Sequence, residues 1–246
     1  MPDAPTTIAA AMFGLLRFLV FWVVAVGVLI TLVVQLLLPA LVMAAINQSS
    51  VFTGQPVSIQ VRTSLAGVLL RGQIDSISMS GTNLHEGSVQ VDRMDATLAD
   101  VGIVNRSFGA IAGSLSGVAL ATAGGGTLRF DTVELSGSSG GVTAVGTITP
   151  ATLAATLAAV LQPLGVTPSQ IHVDGDGVRI VLGGQAIVAR LRLEGSTLVL
   201  DTGTKLGAIP ILQTPADGTW ALTAVDLSAT GAQLTAVIRA GILPTI

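Results

Sequence analysis

The sequence predicts an α+β, β-rich protein: an N-terminal transmembrane helix, then a strongly curved antiparallel sheet wrapped around two short helices. Three observations predict it. Phe18–Leu38 is an uncharged apolar run. After it, short stretches alternate apolar and polar residues between Gly- and Ser-rich turns. Two Pro-led, Ala/Leu-rich segments, at Pro39 and Pro150, interrupt that alternation with helical spacing.

The first element follows from length. At about 1.5 Å per residue, Phe18–Leu38 spans about 30 Å as a helix, the thickness of a bilayer's hydrocarbon core. The preceding residues hold Asp3 and Arg17, a weak basic region for a cleavable signal, and the apolar run is too long for one. A retained anchor is expected. Arg17 precedes the span and the next basic residue is Arg62, so the N-terminus is expected in the cytoplasm and the domain outside. The organisation read from this is a cytoplasmic tail at 1–17, a transmembrane helix at 18–38 and an extracytoplasmic domain at 39–246. Leu41, Ala44, Ala45 and Gln48 continue the helical spacing past Pro39, giving the first short helix.

Strand signals follow. Val57, Ile59 and Val61 alternate with polar residues up to Arg62. Further strands are expected at Gln73–Ser80 and Ser88–Val101. Within the latter, Val89 and Val91 fall out of phase with Met94, Ala96 and Leu98, which predicts a bulge or a change of buried face near Arg93. Leu115–Ala121, Thr127–Leu135 and Val142–Ile148 complete the first half. The second helix opens on Thr149 as N-cap and Pro150 at its first position, with Leu153, Leu157, Val160 and Leu161 on one stripe. Pro163 and Gly165 end it. Strands resume at Gln170–Val173, Val178–Leu182, Ala186–Leu193, Ser196–Leu200, Trp220–Ser228 and Gln233–Arg239.

Composition narrows the function. Charged residues make up 10% of the chain, against about 25% in ordinary soluble proteins. Such a domain either buries more than an ordinary core, as around a greasy ligand, or is a compact β-protein with small residues outside. A net charge of −3 and the absence of a basic, aromatic stripe argue against nucleic acid as a partner. The lack of cysteine excludes disulfides, thiolate metal sites and cysteine nucleophiles.

No catalytic or metal-binding residues and no cofactor are expected. Gly137–Gly141 fits G-x-S-x-G around Ser139, but strand-like residues flank it on both sides, so it reads as a hairpin turn. His85, in a polar loop from Thr82 to Gly87, and His172, beside Asp174, fall short of a triad or a metal site. Asp174-Gly-Asp-Gly177 reads as a tight hairpin, because a calcium loop begun there ends at Gln185 rather than Glu. What remains is binding by burial, at about 0.8 kcal/mol per acyl CH₂. Candidate lipid-lining residues are Leu153, Leu157, Val160 and Leu161 on the second helix, with Val57, Ile59 and Val61 opposite. The alternative is that these side chains simply fill the core.

The succession LPALVMAAI, LAGVLLRGQIDSISMSG, VDRMDATLADV, VGTITPATLAATL, VDGDGVRIV and LTAVDLSATGAQLTAVI resembles the bacterial LmeA-like phospholipid-binding family. Leu69-Leu70-Arg71-Gly72, followed by Ile77 and Met79, is similar to that family's Leu-Leu-Arg-Gly signature. The likeness runs from about Leu38 to Leu243 in pattern and spacing. It implies a cell-envelope protein with a tubular lipid-binding-like domain, and membrane phospholipid as ligand. Arg71 is the candidate headgroup partner, since a guanidinium suits phosphate. The chain departs from the family in its few charges, many Ala and Thr, and full anchor. Two functions are therefore expected: a membrane-anchored extracytoplasmic lipid-binding module, or a non-catalytic structural or accessory subunit held by its span beside other integral membrane subunits.

Overall fold

A computed structural model of the chain describes residues 57–239, apart from 65–66, 68–70, 87–88, 103–106, 123–125, 176, 205–206 and 215–217. The expected span Phe18–Leu38 and the expected helix from Pro39 lie outside the described residues. Among those described, no helix is long and apolar enough to cross a membrane.

The β-rich class holds: 71% of the described residues lie in strands. In chain order they are β1 (Val57–Arg62), β2 (Gln73–Glu86), β3 (Val89–Gly102), β4 (Ala110–Ala121), β5 (Thr127–Ser138), β6 (Gly141–Ile148), β7 (Gln170–Asp174), β8 (Gly177–Leu182), β9 (Gln185–Glu194), β10 (Thr197–Asp201), β11 (Ala208–Gln213), β12 (Trp220–Ser228) and β13 (Gly231–Ile238). The α-helix, α1, is Pro150–Leu161, with a 3₁₀ turn at Gln162–Leu164 after it.

The expected single, strongly curved sheet is corrected. The strands form two antiparallel sheets, ordered β1-β2-β3-β4-β5-β6-β13-β12 and β11-β10-β9-β8-β7, and neither is strongly curled. The reason is pairing at the end of the chain. β13 takes the free side of β6 across Ala232–Ile238, so β7–β11 cannot extend the first sheet and close on one another. β9 joins the halves of the smaller sheet, its first five residues pairing β8 and its last five β10. Gly183 and Gly184, both at positive φ, make the β8–β9 turn.

The phase slip expected near Arg93 is one part of a feature that crosses four strands. The inward residues are spaced by three rather than two at Gly81/Leu84, Val91/Met94, Leu115/Val118 and Phe130/Val133. The extra residues Asn83, Asp92, Gly117 and Asp131 form a transverse row, and no ladder pair joins them. Asn83 and Gly117 have φ of 53° and 62°. Because each strand inserts one residue at the same level, the register on either side of this crease is unchanged and the same face stays apolar. The Asp92 carboxylate lies across Gly117, where a Cβ would clash with it, and receives a hydrogen bond from Arg129.

Asp131 ties the crease to the helix. Its carboxylate accepts from the Thr149 N–H at 2.6 Å and from the Thr152 hydroxyl at 3.2 Å. Thr149 is the expected N-cap: its hydroxyl accepts from the Thr152 N–H at 3.4 Å, with Pro150 following. At the other end Gly165, with φ of 72°, turns the chain out.

Candidate functional site

The sequence alternation builds the site directly. Successive residues of a strand point to opposite faces, so matched registers line up like with like. Three rows of apolar or glycine positions cross all eight strands of the larger sheet. The first runs Val57, Gly81, Met94, Leu115, Val133, Gly146, Leu234 and Val225; the second Ile59, Met79, Ala96, Gly113, Leu135, Ala144, Ala236 and Leu222. The third runs from Val61 through Ile77, Leu98, Ile111, Gly137, Val142 and Ile238 to Trp220.

One end of this face is filled. α1 lies on β5 and β13 and also touches β7 of the smaller sheet. Leu153, Leu157, Val160 and Leu161 are 1%, 0%, 2% and 1% exposed, packed with Phe130, Val133, Leu234 and the inner side of β8–β11. Gly146 gives Phe130 its place, since a Cβ there would sit 2.4 Å from the ring. These four helix residues belong to the buried core cluster.

The other end is different. Val57, Ile59 and Val61 do not lie opposite the helix; they share its face of the sheet, but on β1, four strands from β5. The sequence showed their common direction. Their distance from α1 depends on the strand order, which no local pattern encodes. Together with Met79, Met94 and Leu98 they are half-buried and stand apart from the cluster around α1. Arg71 is exposed, just before β2. Leu69 and Leu70 of the signature lie outside the described residues.

The opposite face of β1–β4 is polar. Ser58, Gln60, Ser78, Ser80, Asp95 and Thr97 line a shallow groove of about 260 Å³. The Ser78 and Thr97 hydroxyls bond each other at 3.1 Å, and Ser114 donates to Glu134 at 3.1 Å. Arg93 donates to Asp95 at 2.7 Å, and this bond, then the charge of Asp95, raises the guanidinium above its ordinary pKa. The groove is not legible in the sequence, because its hydroxyls come from three strands and form no motif.

Ser139 lies in the β5–β6 hairpin turn, as expected. The β7–β8 turn is closed by Gly177 N–H donating to Asp174 at 3.1 Å. His172 is exposed on β7. His85 is corrected from loop to strand: β2 runs on past the crease to Glu86, and His85 pairs with Gln90. Among the described residues no group of three or more His, Asp or Glu is placed to hold a metal ion. No family model, curated protein or solved structure matches the chain.

Proposed function

We propose that the chain is a membrane-anchored, extracytoplasmic lipid-binding module of a bacterial cell envelope, taking up phospholipid acyl chains by burial. The observation that carries this reading is the apolar face of the larger sheet. It extends past the helix-filled core over β1–β3, where Val57, Ile59, Val61, Met79, Met94 and Leu98 stay half-buried. A surface of this kind offers an acyl chain apolar area at about 25 cal/mol per Å² without any polar site. Arg71 is exposed at the start of β2 and supplies a cation for a headgroup phosphate. The four helix residues are not part of this lining; they hold the sheet that presents it. The span Phe18–Leu38 keeps the domain near its ligand.

The test is photo-crosslinking of the full chain, in vesicles carrying a phospholipid with a photoactivatable acyl chain. Labelling is expected at Ile59, Met79 and Leu98 and not at Ser78 or Thr97 on the polar face. Labelling confined to Phe18–Leu38 overturns the reading.

A second reading, a non-catalytic accessory subunit, draws on the filling around α1, where Leu157 and Leu200 have no exposed surface. A domain with its interior already occupied is suited to gripping neighbours. Extraction in mild detergent separates the two: stoichiometric membrane-protein partners favour the subunit, and bound lipid without partners favours the module.

A further inference from the structure

Four strands end the two sheets, and three of their edges are guarded. β11 carries Pro210 at its centre, which removes a ladder donor. β12 is kinked between Leu222 and Ala224 and packs on β9 and β7. β7 is short and is packed by α1 and β12. Among the described residues, β1 has none of these devices. There it pairs with β2 alone, in unbroken register from Val57 to Arg62, and the strand itself holds no proline, no bulge and no acidic residue. A regular edge whose positions Val57–Val61 carry no charge is a template for another strand.

The sequence of β1 specifies which strand fits. Val57-Ser58-Ile59-Gln60-Val61 has the same polarity pattern read in either direction. Two antiparallel copies centred on Ile59 set Ile59 against Ile59, Val57 against the partner subunit's Val61, and Ser58 against the partner subunit's Gln60. All three apolar residues then meet apolar residues on one face, and a shift of one residue would set Ile59 against Gln60. Centring on Gln60 instead would leave Val57 opposite Thr63. The single charge of the strand, Arg62, lies outside the five matched positions.

We propose that β1 is a self-pairing edge, through which two copies of this chain join antiparallel about a two-fold axis at Ile59. The contact is isologous and closes after two copies. It carries the apolar rows of the larger sheet from one copy into the next, and the polar groove, bounded at β1 by Ser58 and Gln60, continues across the axis.

The chain contains no cysteine, so single substitutions report directly. Residues facing each other across an antiparallel pair have Cα atoms about 4.5–5.5 Å apart, within the disulfide range of about 4.4–6.8 Å. The full chain carrying Ile59→Cys is oxidised in membranes and run on a non-reducing gel, beside Gln60→Cys. Ile59→Cys is expected to give at least about tenfold more cross-linked dimer, because Gln60 lies about 7–8 Å from its own copy on the diagonal. Co-expressed Val57→Cys and Val61→Cys chains are expected to cross-link to each other and not to themselves. Equal cross-linking at Ile59 and Gln60, or none at Ile59 and none between Val57 and Val61, overturns the proposal.

Discussion

Along one row of the larger sheet, Val133 and Leu234 are sealed in the cluster around α1, whereas Val57 and Met94 on the same row stay half-buried. Both ends have the same antiparallel pairing, the same alternation and the same residue types. The difference lies in the layer above the sheet. α1 and the smaller sheet close the β5, β6, β13 and β12 end, and neither belongs to the packing of β1. Burial here is set by what covers a strand and not by the strand's own pattern, so one pattern serves as core at one end and as candidate binding surface at the other.

That comparison can be broken by substitution. The largest effect is expected from Leu157→Ala, which empties a site with no exposed surface; about 3–5 kcal/mol of stability should be lost in denaturant unfolding. Gly117→Ala forces a side chain onto a φ of 62° and against Asp92, and should cost about 2 kcal/mol by the same measurement. Leu98→Ala, on the half-buried end, should cost about 1.5 kcal/mol, and a loss equal to that of Leu157→Ala would erase the distinction between the two ends. Asp131→Ala removes the acceptor for Thr149 and should cost about 1 kcal/mol, with loss of helical circular dichroism preceding global unfolding. Arg192→Ala breaks exposed pairs with Glu194 and Asp201 and should change stability by about 0.5 kcal/mol or less, with the change disappearing in high salt.

Much of the strand content was legible because alternation is local. β1 and β8 match their expected bounds closely, and Thr149-Pro150 opens α1 as read. β11 was missed because Pro210 sits at its centre and makes a strand read as loop; the structure tolerates it at a sheet edge. The far part of β2 was missed for another reason. The extra residue at Asn83 breaks the alternation, so Leu84 and His85 look like the start of a loop. The division into two sheets was not legible, because it turns on β13 reaching back to β6 across more than eighty residues of chain. The candidate site divides the same way: the helix stripe could be recognised as buried, but filling and lining differ only in which distant strands lie above it.

The crease at Asn83, Asp92, Gly117 and Asp131 also constrains how this chain can change length. Deleting one of these residues would reverse every side chain beyond it on that strand while its neighbours stayed as they are, turning apolar groups outward along a single ribbon of the sheet. A loss is tolerable only if matched on the adjoining strands, and at Asp131 it would also release the start of α1. Length variation in this protein is therefore expected in its turns, while the four strands keep their residue count as a group.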